Sequence, residues 1–182
     1  MKKTAIIIQA RMSSTRLPGK VMKNLSGRPM LWQVITRCQK SKLANQVIVA
    51  TTERAEDAVI EELCRKMDIP CFKGSLANVL ERYYRAATEI RADVVVRITS
   101  DCPLIDPVII DLCLNEFAKN KYDYISNVLP GDRTFPRGLD VEVFSFSALK
   151  TAFEKATETL ETEHVTPYIW QNKKGHFTIG PM

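Results

Sequence analysis

The sequence predicts an α/β fold of three layers, a doubly wound and mostly parallel sheet with helices on both faces, in a single domain. Two observations predict it: short β-rich runs alternate with helical patterns from the first residues onward, and the best strands are apolar throughout, as strands covered on both faces are. At 182 residues the chain has the length of one domain, with 45% apolar and 26% charged residues. That composition excludes a disordered tail, a collagen-like fibre and a coiled-coil rod.

Thr4–Ala10 (TAIIIQA) reads as the first buried strand. Residues 11–28 are loop-like, punctuated by Ser13-Ser14, Pro18-Gly19 and Gly27. Pro29 suits the first position of a helix whose apolar face holds Met30, Leu31, Val34, Ile35 and Cys38. Gln46–Thr51 is the second strand, and Ala55–Met67 a helix with Ala58, Val59, Leu63 and Met67 at helical spacing. A short strand at Cys71-Phe72 precedes a helix over Asn78–Ile90, striped by Val79, Leu80, Tyr83, Ala87 and Ile90. Asp93–Thr99 (DVVVRIT) is the clearest strand, and Asp106-Pro107 opens a helix running to Phe117. Tyr122–Val128 and Leu139–Phe144 read as strands, Ser145–Lys155 and Glu161–Gln171 as helices, and His176–Ile179 as a last strand. No repeat, linker or low-complexity segment interrupts this order.

Other features narrow the function classes. No apolar run approaches the roughly 18 residues of a membrane span, and Gln9 and Arg11 end the first apolar stretch before any signal-peptide core forms. The expected location is the cytoplasm, with no membrane partner. Five cysteines without a C-x-x-C pair, and two histidines, argue against a disulfide framework, a zinc site and cysteine catalysis. The net charge is +5, which suits an anionic partner. Arg11, Arg16, Lys20, Lys23 and Arg28 cluster without an acidic residue and without interleaved aromatics. That pattern favours a compact anion over nucleic acid.

In open parallel sheets ligands bind beyond the carboxyl ends of the strands, and two unusual segments lie there. Ala10–Lys20 (ARMSSTRLPGK) is neither a Walker loop nor a dinucleotide fingerprint. It does combine small residues, hydroxyls and cations, the parts that cradle a triphosphate. On composition alone a solvated basic loop is an equal reading. In Arg97–Pro103 (RITSDCP), Asp101 stands just past the best strand, where a carboxylate can hold a hard divalent cation against phosphate oxygens. A turn or capping aspartate ahead of Pro103 is the competing reading. Trp32, Tyr83, Tyr84 and Trp170 fit core positions better than base-stacking platforms, and His164 reads as a capping residue at a helix start before a substrate contact.

Together these segments resemble the cytidylyltransferases that activate acidic sugars, the CMP-KDO and CMP-sialic acid synthetase group, and most closely its spore-coat polysaccharide branch. The resemblance rests on IIIQARMSSTRLPGK (Ile6–Lys20), Ala50-Thr51-Thr52, Gly74-Ser75 with NVLERY (Asn78–Tyr83), SDCPLIDP (Ser100–Pro107), RGLDVE (Arg137–Glu142) and EHVTPY (Glu163–Tyr168). It spans essentially the whole chain. It implies a nucleotide-diphospho-sugar-transferase-like, Rossmann-like fold and an enzyme that couples CTP to a sugar, releasing pyrophosphate, for surface or spore-coat polysaccharide. It implies that Arg11 and Lys20 grip the triphosphate with Ala10, Ser14 and Arg16 beside them. Asn78 and Arg82 would lie near the cytidine, Asp101 would ligate Mg²⁺, and Arg137, Asp140 and Glu142 would face the sugar. By the same resemblance the protein is a homodimer, and a second metal-binding aspartate belongs beyond Met182, so the 182-residue chain is expected to lack a C-terminal segment. Asp140 and Glu142, on one face of an alternating strand, are the alternative source of that ligand. A non-catalytic nucleotide- or sugar-binding module and a glycosyltransferase that consumes a nucleotide-sugar are the competing functions. The chain's Ser100-Asp101-Cys102, in place of an Asp-x-Asp pair, counts against the latter.

Overall fold

In a computed structural model, residues 2–129, 133 and 135–180 are described. The strands are β1 (Thr4–Gln9), β2 (Asn24–Leu25), β3 (Arg28–Pro29), β4 (Gln46–Thr52), β5 (Cys71–Gly74), β6 (Val94–Thr99), β7 (Tyr124–Ser126), β8 (Glu142–Ser145) and β9 (Ile179–Gly180). The helices are α1 (Met30–Cys38), α2 (Ala58–Lys66), α3 (Val79–Glu89), α4 (Pro107–Lys119), α5 (Phe146–Lys155), α6 (Thr159–His164) and α7 (Pro167–Gln171). A seven-stranded sheet runs β5-β4-β1-β6-β8-β7-β9. Within it only β8 is antiparallel to its neighbours.

Side-chain alternation along the strands builds the two cores. Ile6 and Ile8 of β1, Val47 and Val49 of β4, and Val94, Val96 and Ile98 of β6 pack with α1, α2 and α4. Ala5 and Ile7, Ile48 and Ala50, and Val95 pack on the other face with α3, α5 and α7. Three-layer, doubly wound architecture follows directly, because each central strand is apolar on both faces.

From β1 the chain winds outward through β4 to β5, then returns to β6 on the opposite side of β1. The carboxyl ends of β1 and β6 therefore flank the switch point, where successive connections part and a crevice opens. Antiparallel β8 fills the place between β6 and β7, and its register sets Glu142 opposite Arg97.

Local expectations fare unevenly. Asn78, Asp106 and Ser145 cap α3, α4 and α5, each accepting a backbone N–H with its side chain. The loop over residues 11–28 contains a short 3-10 turn (Lys20–Met22) and the β2–β3 hairpin, and Pro29 pairs with Asn24 before the helix begins. On α2 the buried positions are Ile60, Leu63 and Cys64, while Ala58 and Val59 face solvent. The expected 161–171 helix is two short helices at an angle, broken at Val165, so His164 ends a helix and does not begin one. Burial pushes the thiols of Cys38 and Cys113 up to about 12, with Cys102 adding to the shift at Cys38, so both are unreactive core residues. Pro181 and Met182 lie outside the described residues.

Candidate nucleotide-binding cleft

A cleft of about 290 Å³ opens at the switch point, lined by Ala10, Arg11, Ser14, Arg16 and Lys20 from the loop after β1. That loop is folded back on itself: the N–H groups of Ser14 and Gly19 both donate to the Met12 carbonyl at 2.8 Å. Gly19 takes a left-handed conformation (φ 67°), and a Cβ there would meet Met12 Cε at 3.3 Å, so the turn favours glycine. The loop's base is fixed from elsewhere. Asp57, only 1% exposed, accepts the Met12 N–H at 2.7 Å and the Thr52 hydroxyl. An acidic residue of a different segment thus organises a loop that contains none of its own.

Across the cleft, Lys20 Nζ lies 2.7 Å from Asp101 Oδ2. Burial works to raise the Asp101 pKa, but the hydrogen bonds from Lys20 and Thr99 outweigh it and hold the carboxyl below its ordinary value. Beside Asp101, the sulfur of Cys102 feels the charge of Asp140, and Asp140 accepts from Arg133 at 2.8 Å.

Two arginines form the floor. Arg82 of α3 is 2% exposed; its Nη1 donates to the Ser75 carbonyl at 2.9 Å, while Nε has no partner. Among the described residues no carboxylate pairs with it. Burial lowers its pKa, and the nearby charge of Arg11 adds to that. Arg97 of β6 is paired instead, to Glu142. Burial alone would lower its pKa, but the Glu142 charge reverses the sign. Glu142 also accepts from Tyr124 Oη at 2.7 Å and Thr166 Oγ1 at 2.6 Å. Both of its oxygens are occupied, and Arg97 Nε remains without a partner.

The remaining wall comes from Glu163 and His164 at the end of α6. The cleft therefore gathers five cations, Arg11, Arg16, Lys20, Arg82 and Arg97, against Asp101 and Glu163. An anion is the complementary occupant, since an unpaired buried guanidinium costs several kcal/mol until a counter-charge arrives.

Of the residues singled out from the sequence, Ala10, Arg11, Ser14, Arg16, Lys20, Arg82 and Asp101 line this one cleft. Asn78 stands at its rim, where its side-chain oxygen caps α3 through the Glu81 N–H at 2.8 Å and its neighbour Val79 lines the wall. Glu142 lies behind Arg97, 5% exposed, and accepts from three protein donors, Arg97 on one oxygen and Tyr124 and Thr166 on the other; it is not part of the cleft lining. Asp140 precedes β8 and pairs with Arg133, so the two acids do not form the alternating pair the sequence suggested. Arg137 is exposed and does not line the cleft. Asp57, Arg97 and His164 are additional parts of the site. Arg97 and His164 had local signals, their places in RITSDCP and EHVTPY; Asp57 had none.

A metal fits Asp101 only as a single protein ligand. Its carboxylate is a hard oxygen donor beside a phosphate-sized cationic crevice, and no cluster of three or more His, Cys, Asp or Glu able to hold a metal occurs among the described residues. Such a donor set suits a Mg²⁺ ion that keeps waters and phosphate oxygens for its other positions.

Comparison with known proteins agrees with this geometry. A family profile described as cytidylyltransferase matches residues 5–178. The protein MJ1063 of Methanocaldococcus jannaschii is 43% identical over 166 residues, covering 91% of this chain and 66% of its own length. The spore coat polysaccharide biosynthesis protein SpsF of Bacillus subtilis is 32% identical over 176 residues, covering 93% of this chain and 70% of its own. The solved structure of a cytidylyltransferase from Leptospira borgpetersenii superposes with a TM-score of 0.92 at 36% identity, over 100% of this chain and 77% of that one. Matched along nearly its whole length, and with a cationic crevice at the switch point of the sheet, this chain belongs to the cytidylyltransferase family.

Proposed function

We propose that the cleft binds CTP and transfers its cytidylyl group to a sugar hydroxyl, giving a CMP-sugar and pyrophosphate. The observation that carries this reading is Arg82: a buried guanidinium without a carboxylate partner, facing a crevice already rich in cations. Arg11, Arg16 and Lys20 take the triphosphate by charge-assisted hydrogen bonds, and Ser14 and the Ala10 backbone close around it. Arg82 takes its counter-charge from the α-phosphate, at the nucleoside end of the triphosphate, with Asn78 beside it near the cytidine. Catalysis is positioning plus neutralisation of charge, as in other phosphoryl-group transfers. Mg²⁺ on Asp101 supplies further neutralisation of the pyrophosphate when bound. The Arg133–Asp140 pair beside Cys102 marks the acceptor side, with exposed Arg137 at its edge.

Similarity to SpsF supports a role in surface polysaccharide synthesis, spore coat included. A cytoplasmic location is part of the proposal; no helix among the described residues is long and apolar enough to cross a membrane. A homodimer is the proposed assembly. The test is a thermal-shift panel of the four nucleoside triphosphates with and without Mg²⁺, followed by pyrophosphate release from CTP with a panel of sugar acids. CTP at a hundred times its Kd should add about 2.7 kcal/mol of stability. Equal shifts from all four nucleotides, or none, would defeat the reading.

A further inference from the structure

Val165, buried in the core, directly follows the cleft-lining residues Glu163 and His164. Its backbone sits at φ 73°, ψ −55°, and the Thr166 N–H donates to the His164 carbonyl at 2.9 Å. This is the γ-turn of positive φ, a rare and strained conformation for a β-branched residue. Strain persists only where the surroundings impose it, and here they do. The Val165 side chain is fully buried, and its N–H is held by the Glu161 carbonyl at 3.1 Å. The next residue, Thr166, is tied through Oγ1 to Glu142 at 2.6 Å. Glu142 in turn is clamped by Arg97 and Tyr124. The buried Glu142 carboxylate therefore joins β6, β7 and the start of α7 into one support. The product of that support is the placement of the first residue of the turn, His164, in the lining of the same cleft as the basic loop.

We propose that His164 is the acceptor-side group of the site and takes the proton from the attacking sugar hydroxyl, an inference that rests on the cytidylyl-transfer reading above. The hydroxyl oxygen forms a bond to the α-phosphorus of CTP. The bond from that phosphorus to the oxygen bridging it to the β-phosphate breaks, and pyrophosphate leaves with the electron pair. The hydroxyl proton passes to the imidazole, which releases it to solvent after the product departs. Histidine is the side chain suited to exchanging a proton near neutrality. His164 is the only histidine in the cleft, and Glu142 and Thr166 act through it as positioning residues.

The chain has two histidines, His164 and His176, so their imidazole Cε1–H resonances are separable by proton NMR and assignable with a His176→Gln variant. CMP, which carries the α-phosphate, should shift the His164 resonance and leave His176 in place. Pyrophosphate should bind by calorimetry without that shift. With a sugar that supports pyrophosphate release, His164→Gln should lower kcat by about 10²–10⁴-fold while the KM for CTP stays within about threefold. Added imidazole should restore part of the turnover of His164→Ala. Bound CMP that leaves His164 unmoved, or a His164→Gln enzyme with kcat within threefold of wild type, would overturn the proposal. Absence of any calorimetric binding of CTP, CMP or pyrophosphate would instead overturn the nucleotide reading, and the role of His164 with it.

Discussion

Lys20 Nζ and Asp101 Oδ2 lie 2.7 Å apart across the mouth of the cleft. The cation proposed for phosphate and the carboxylate proposed for a metal are thus paired with each other. In the proposed function, a nucleotide with its metal exchanges this contact for two new ones.

The pair has a pH signature. Asp101 has its pKa depressed in the folded state, so its contribution to stability is present above the unfolded value of 3.8 and is lost as pH falls through the lower folded value. Lys20→Met should cost no more than about 1 kcal/mol at pH 7, because the pair is partly exposed. The difference in Tm between wild type and variant should close on acidification below that range. A difference independent of pH would assign the loss to packing.

Asp57 organises the loop without touching solvent. Asp57→Ala should destabilise the protein by about 1–3 kcal/mol, because it strands the buried Thr52 hydroxyl and the Met12 N–H. Arg11→Ala, a partly exposed cleft residue, should leave Tm unchanged. Thermal melts of the two variants check the contrast.

Arg82→Met should keep or raise thermal stability, since it exchanges an unpaired buried charge for an apolar side chain of similar reach. The same variant should lose most of the stabilisation that CTP gives wild type. Melts with and without CTP measure both effects, and a large loss of stability without ligand would mean that the guanidinium serves the fold.

Asp101→Asn keeps the shape of the side chain and removes the charge a hard cation needs. Mg²⁺ should strengthen CTP binding to wild type and have little effect on the variant. Matching Mg²⁺ titrations would return Asp101 to the role of a turn residue.

What the sequence made legible was local. Apolar runs such as DVVVRIT and capping residues such as Asp106 act within a few positions, so the central strands and most helices could be read directly, while the bounds of β7, β8 and β9 could not. The basic loop and Asp101 were legible for the same reason: each lies at a strand end, and the topology brings strand ends together. Distant pairings were not legible. That Asp57 fastens the Met12 backbone, 45 positions away, follows only from the tertiary fold. Glu142 looked like one of two alternating acids, yet β8 begins there and runs antiparallel, which sets it against Arg97. Helical spacing continued through residues 161–171, so the break at Val165 was hidden: it is imposed by Glu142 through Thr166, against the local preference of a β-branched residue.

The most direct test is calorimetry of CTP with Mg²⁺ against wild type and Arg11→Ala. The cationic cleft should bind CTP, and loss of one charge-assisted contact, worth about 1.5–3 kcal/mol, should weaken binding by roughly tenfold to a hundredfold with Tm unchanged. Equal affinity in the two proteins, or no binding by wild type, would contradict a nucleotide site at this switch point.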